Sequence, residues 1–265
     1  MNKTEYSGLK KIVSWNVNSV NARLPHLLDY LRTEQPDILC LQELKCMTEK
    51  YPKADIEALG YGSQVFGQKA YNGVAILSKS PLELVSENFE DNAADVSARF
   101  IACRQNDVVF MCAYVPNGQS LGSEKFLFKL DWLHRMRKYL EAKFSPRDKI
   151  VLVGDFNIAP DDRDVYDPVG WKEHIHCSAQ ERESLSLVTR FGFIDTFRIH
   201  NQKNGQFSWW DYRDGSFLEN RGLRIDLIFA TPSMALKCKG SRIAFEQRSK
   251  ERPSDHAPVE SFFDI

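Results

Sequence analysis

The chain has no excess of charge, no closely spaced cysteine pair, no long apolar run and no phosphate-cradling glycine loop, and each absence removes a class of protein. Lys and Arg number 35 against 36 Asp and Glu in 265 residues, so the molecule is not a basic coat for nucleic acid, and a polyanion must be held by a local patch. Such a patch has to offset repulsion from neighbouring carboxylates, a task suited to a divalent cation. The six cysteines, Cys40, Cys46, Cys103, Cys112, Cys177 and Cys238, form no C-x-x-C pair, and four lie in or beside apolar runs. That is the pattern of reduced thiols in a cytosolic protein. Residues 1–11 carry no continuous apolar segment, so neither a signal peptide nor a membrane span is expected, and the expected setting is cytoplasmic. No serine nucleophile elbow or P-loop is present, which removes covalent serine and P-loop mechanisms. What is there is 43% hydrophobic and 12% aromatic residues, ample for a packed core and incompatible with disordered or collagen-like chains.

Hydrophobic periodicity predicts a mixture of helices and strands. Strands are expected at 11–15, 37–41, 74–77, 97–103, 108–114, 149–153, 207–210, 224–230 and 259–263. Helices are expected at 20–33, stopped by Pro36, at 124–144 and near 179–190. No linker rich in Pro, Gly or Ser divides the chain, so residues 1–265 read as a single domain. A short echo relates Lys11-Ile12-Val13, before Asn16, to Lys149-Ile150-Val151, before Asp155 and Asn157. Two facing sheets would gather their strand ends at one rim.

Polar residues stand at those ends. Asn16, Glu43, Tyr114, Asp155 with Asn157, and Asp226 each close an apolar run, and Asp255-His256 precedes the last one. Strand alternation would point Asp155 and Asn157 the same way. Each residue alone has a structural explanation: a turn for Asn16, a partnership with Arg224 for Asp226, a buried hydrogen-bonded ring for His256. As a set they share a chemical one. Glu43 and Asp155 are hard oxygen donors with no thiolate cluster in competition, which suits Mg²⁺, with Mn²⁺ as a substitute, better than zinc. Mg²⁺ with few protein carboxylates points to phosphoryl transfer. A His256 held by a carboxylate, with Asp226 the candidate, could bind or protonate the phosphate region. His174 and His176 fit a surface loop, and His26 and His134 fall within predicted helices.

These motifs resemble the exonuclease III family of abasic-site endonucleases, within the wider endonuclease, exonuclease and phosphatase superfamily. The resembling segments are Ser14-Trp15-Asn16-Val17-Asn18, Leu41-Gln42-Glu43, Tyr114-Val115-Pro116-Asn117-Gly118, Gly154-Asp155-Phe156-Asn157, Asn220-Arg221-Gly222-Leu223-Arg224-Ile225-Asp226 and Pro253-Ser254-Asp255-His256-Ala257-Pro258. They run in the family's order and span almost the whole chain. The resemblance implies an α/β, or α+β, fold: a four-layered sandwich of two central mixed sheets packed face to face and flanked by helices. It implies Glu43 as the main metal ligand with Asn16 and Asp255 around it. Asp155 and Asn157 would handle the attacking water, Tyr114 and His256 would contact the scissile phosphate, and Asp226 would orient His256. Asn117, Trp209, Arg221, Leu223 and Arg224 would meet the substrate, Trp209 and Leu223 matching positions that pack around a flipped, baseless sugar. Asn18 departs from branches that carry Asp there.

Independently, Phe207, Trp209 and Trp210 lie close in sequence to Arg213, Arg221 and Arg224, an aromatic and arginine mixture that can stack on bases and bind phosphates. The expected activity is Mg²⁺-dependent hydrolysis of DNA 5′ to abasic sites, with removal of nucleotides or blocking groups from 3′ ends. The expected partner is double-stranded DNA carrying such lesions, met by a monomer away from membranes. A phosphatase or phospholipase-type phosphodiesterase on the same scaffold, and a non-catalytic DNA-binding relative, stay open as alternatives.

Overall fold

In the computed structural model, which describes residues 6–91 and 95–265, strands and helices alternate along the chain. The expectation for the amino terminus therefore falls, for residues 1–5, outside the described residues. The elements are β1 (Lys10–Asn16), α1 (Leu24–Glu34), β2 (Ile38–Gln42), α2 (Lys53–Glu57), β3 (Gly62–Phe66), β4 (Val74–Ser78), β5 (Glu83–Glu87), β6 (Phe100–Gln105) and β7 (Val108–Tyr114). There follow α3 (Glu124–Lys143), β8 (Lys149–Asp155), α4 (Ala179–Thr189), β9 (Ile194–Asp195), α5 (Thr196–His200), β10 (Asp226–Ala230), α6 (Pro232–Ala235), β11 (Cys238–Ile243) and β12 (Val259–Phe263). No helix among the described residues is long and apolar enough to cross a membrane.

Two six-stranded sheets result, ordered β11-β12-β1-β2-β4-β3 and β5-β6-β7-β8-β10-β9. Each holds one parallel pair, β1 with β2 and β7 with β8, among antiparallel neighbours. A parallel pair needs a crossover, and α1 and α3 supply it. The repeating unit is thus β1-α1-β2 matched to β7-α3-β8. This corrects the sequence echo, which had set β1 beside β8, the second strand of its unit.

Strand alternation sorts the side chains into layers. Ile12, Cys40, Ile76, Cys112, Val151, Val153 and Ile228 pack between the sheets. Val13, Trp15, Leu39 and Leu41 face outward onto Leu27, Tyr30 and Leu31 of α1. On the second sheet Met111, Ile150, Leu152 and Leu227 face outward onto Trp132, Leu133 and Met136 of α3 and Leu185 and Val188 of α4. The four layers are those expected.

Several boundaries differ from the periodicity. Helix α1 begins at Leu24 rather than Val20, because Pro25 lies in its first turn and proline, without an N–H, fits a helix only there. The segment 207–210 is not a ladder strand. It makes single bridges, Trp209 to Leu223 and Trp209 to His256. Its aromatic and β-forming residues suit a strand locally, but its pairing on either side, with Leu223 and with residues 255–257, does not extend into a ladder.

Candidate active site

Counting by twos from the inner residues brings the polar strand ends to one place. Asn16 follows Ile12 and Ser14 inward on β1, Asp155 follows Val151 and Val153 on β8, and Asp226 precedes the inward Ile228 on β10. Tyr114 lies inward at the end of β7. An apolar side chain at each place would contribute roughly 1.5–3 kcal/mol by burial, so four polar ones together call for another role. Gly154 lets the neighbouring strand come close, since a Cβ there would sit 1.9 Å from the Ala113 carbonyl oxygen.

Asn157 reaches the site differently from the expectation. β8 ends at Asp155, and Asn157 lies beyond it in a left-handed turn with φ 51°, a conformation that asparagine tolerates better than most residues. The turn still joins the pair: the Asn157 backbone N–H donates to Asp155 Oδ1 at 2.9 Å and its Nδ2 donates to Oδ2 at 3.3 Å. Glu43 likewise stands one residue past β2, with φ 52°.

Glu43, Asp155 and His256 each offer one ligand atom within 4.8 Å of the others. Asn16 lies between the two carboxylates, its Nδ2 donating to Glu43 at 2.8 Å and to Asp155 at 2.9 Å. Its oxygen accepts from the Asn18 N–H at 2.9 Å. Asn16, expected around the metal, thus presents its amide nitrogen to both carboxylates of this cluster. Asp255, also expected beside the metal, is engaged elsewhere: one oxygen accepts from Asn18 Nδ2 at 2.8 Å and the other from Trp209 Nε1 at 3.0 Å. Asn16 thereby bridges Glu43 and Asp155, and Asn18 joins Asp255 to Lys45, whose ammonium donates to Asn18 Oδ1 at 2.6 Å.

His256 Nδ1 lies 2.8 Å from Asp226 Oδ2, which also accepts from the Ser208 hydroxyl at 2.6 Å. A carboxylate can only accept, so Nδ1 carries a proton and Nε2 is turned toward the site, 3.8 Å from Asp155. Burial disfavours the charged ring, but the carboxylates of Asp226 and Asp155 outweigh it and raise its pKa. Burial pushes the Asp155 carboxyl up to about 7, with Asp226 adding to the rise and His256 opposing it. Burial would raise Glu43 too, yet Lys45, 2.9 Å away, and the Asn16 amide hold it below the ordinary range. Burial, then the charges of Glu43 and Asp155, keep the Tyr114 phenol protonated well above its usual range, leaving it a hydrogen-bond donor.

A divalent cation fits this donor set. Two hard carboxylates face one space, and Asp226 Oδ1 behind them is buried without a hydrogen-bond partner. A cation would favour the ionised form of Asp155 that burial resists.

The other expected substrate residues divide. Trp209 is half-buried beside Leu223, which is fully buried with Ala159, Val165, Cys177 and Ile225. Asn117 is exposed at the rim, its Nδ2 3.4 Å from Asn157 Oδ1. Arg221 is half-buried and paired with Glu219 at 2.9 Å. Arg224 is corrected: only 1% exposed, it binds Asp164 at 2.6 Å and Asp195 at 2.8 Å and cannot meet DNA. Nor does it pair with Asp226. His176, expected on the surface, is buried with Nδ1 2.6 Å from the Asn157 carbonyl. Ser208 and Lys45 were missed altogether. Lys45 follows Glu43 by two residues and was legible, whereas Ser208 becomes visible only when its loop folds onto Asp226.

Comparison with known proteins agrees with this construction. Residues 13–256 match the Endonuclease/Exonuclease/phosphatase family. The chain is similar to exodeoxyribonuclease III of Haemophilus influenzae, 34% identical over 264 residues, covering 94% of this chain and 98% of that protein. Among solved structures it is similar to the 3′ phosphatase NExo from Neisseria bound to a product DNA hairpin, with 41% identity, a TM-score of 0.94, and coverage of 97% and 100%. An AP endonuclease from Archaeoglobus fulgidus gives 35% identity, the same TM-score of 0.94 and the same coverage of 97% and 100%. The chain belongs to the endonuclease, exonuclease and phosphatase family and, within it, to the exonuclease III group of DNA repair nucleases. It is a hydrolytic enzyme.

Proposed function

We propose that the chain, acting as a cytoplasmic monomer with residues 1–265 as one domain, hydrolyses the phosphodiester 5′ to abasic sites in duplex DNA. It also removes nucleotides or blocking groups from 3′ ends, with Mg²⁺ as cofactor and Mn²⁺ as a substitute. The observation that carries this reading is the convergence of Glu43, Asp155 and His256 within 4.8 Å, backed by Asp226.

Glu43, with Asp155 beside it, would hold the cation, which when bound neutralises charge on the phosphate oxygens. Asp155, held by Asn157, orients the attacking water and accepts its proton. The water oxygen bonds to phosphorus as the bond to the 3′ oxygen breaks. Tyr114 and Asn117 donate to the phosphate, and His256, fixed by Asp226, does so through Nε2. Trp209 and Leu223 would pack on the sugar, and Arg221 would reach the backbone. Substrate and water are thus positioned by groups already held in place.

A specialised processor of 3′ ends is the second reading, favoured by His176. Its ring centroid lies 6.3 Å from that of Trp209, in the region a baseless sugar would need. The relative of known structure at 41% identity is a 3′ phosphatase. Both readings are tested with a duplex bearing one synthetic abasic site and a duplex with a 3′ phosphate, each with Mg²⁺ or chelator. Incision with trimming supports the first reading, and trimming alone the second. Chelator-resistant cleavage overturns the metal role, while hydrolysis of inositol phosphates with intact DNA returns the phosphatase alternative.

A further inference from the structure

The buried face of α3 is interrupted by one charge. Phe126, Trp132, Leu133, Met136, Tyr139 and Leu140 recur at helical spacing, and Lys129 stands among them with 0% of its surface exposed. Its ammonium carries three protons and has three acceptors: Glu181 Oε1 at 2.5 Å, the Asn157 carbonyl at 2.7 Å and the Asn117 carbonyl at 3.1 Å. Glu181 is equally buried and also accepts from the His176 N–H at 3.0 Å and from the Ser178 hydroxyl at 2.7 Å.

Stability alone does not explain the pair. Desolvating two charges costs several kcal/mol per ion, and apolar groups of similar volume serve a core as well or better. What an apolar side chain cannot do is donate to two carbonyls at once. Those carbonyls belong to the two residues whose amides line the site. Both lie outside regular structure, Asn157 in its left-handed turn and Asn117 before Gly118, where a Cβ would come within 3.1 Å of Lys129 Cδ. Asn157 is held as well by Asp155, the Val115 carbonyl and His176, so the tie through Lys129 bears chiefly on Asn117, whose amide reaches Asn157 at 3.4 Å.

We infer that Lys129 is a positioning residue for the reaction, its ammonium clamping the backbone of Asn117 to that of Asn157 so that both amides keep their places beside Asp155. This rests on the roles proposed for those amides. A displacement of about 1 Å in positioning groups can cost on the order of 100-fold in rate.

The test uses the full chain and a duplex with a 3′ phosphate or abasic site in Mg²⁺, whichever the wild type cleaves. Lys129→Met with Glu181→Gln removes both charges and keeps the volume. The expected result is kcat lower by about 10- to 100-fold with KM changed less than about threefold. The same pair of substitutions on an Asn117→Ala background should cost clearly less, because the two act through one group. An unchanged kcat, or losses that simply multiply, overturns the clamp. If the paired variant does not fold, Glu181→Gln alone keeps the ammonium on both carbonyls. Retained kcat then supports the clamp, and a loss of 10-fold or more overturns it. A wild type that cleaves neither duplex overturns the functional reading, an outcome distinct from a clamp that fails in an active enzyme.

Discussion

Arg224 and Asp226 are two residues apart, yet they belong to buried charge clusters built on opposite plans. Around Arg224 the charges balance: Arg224 and Arg198 meet Asp164 and Asp195. Around Asp226 they do not. Asp226, Asp155 and Glu43 share the site with His256 and Lys45, and one oxygen of Asp226 is left without a partner. A balanced cluster can fasten loops with nothing further. An unbalanced one holds carboxylates close together and is completed by a cation, so the imbalance marks the reactive side of the molecule.

The most severe way to break this contrast is Asp155→Asn, which should lower kcat by about 1,000-fold or more with little change in DNA affinity, because the lost interaction belongs to the transition state. Steady-state cleavage and equilibrium binding measure the two separately, and equal turnover would remove Asp155 from the mechanism. Next, Arg224→Met leaves Asp164 and Asp195 buried with less compensation and should cost about 3–5 kcal/mol of stability. Its kcat below the melting transition should stay within about threefold, a result that a DNA-binding Arg224 would contradict. Mg²⁺ should then separate the clusters. At 100 times its Kd it should stabilise the wild type by about 2.7 kcal/mol, seen as a rise in Tm, and do so far less for Glu43→Gln. Equal stabilisation of both would place the ion elsewhere.

A smaller effect involves a neutral member behind the site. Burial, then the charge of Lys129, lowers the His176 pKa to about 4, with Glu181 opposing and His256 assisting. Between that value and the unfolded value near 6.5, the unfolded state binds the proton and the folded state does not, so stability falls as pH falls. From pH 7 to 5.5 the wild type should lose about 1 kcal/mol more than His176→Gln in denaturant melts. Parallel curves would mean that His176 is not held neutral. The mildest test is Trp209→Ala, expected to shift the ranking of abasic and 3′-blocked duplexes by roughly 10-fold or less. An unchanged ranking would count against the sugar pocket.

How much of this could be read beforehand depended on whether a residue's role was local. β12 matched its predicted bounds because Val259–Phe263 is a continuous buried run. The inward Asn16, Asp155 and Asp226 were legible because alternation is a property of any strand. Lys129 was missed because a lysine within a helical pattern reads as solvated, and only packing shows it fully buried. Glu181 is the third residue of a capped helix, and nothing local in the sequence joins it to Lys129, 52 positions away.

The sequence by itself determined which strands are buried, that polar residues close them, and through its ordered motifs the family to which the chain belongs. These follow from periodicity and side-chain chemistry, which act over a few residues. Only the tertiary structure decided that Arg224 is buried against Asp164 and Asp195, which residues engage the polar atoms of Asn16 and Asp255, and that Lys129 bonds the backbones of two distant turns. Those roles depend on which charges meet after folding. Electrostatic partnership in a buried site is set by distances of a few ångströms between residues up to a hundred or more positions apart, as with Asn16 and Asp155.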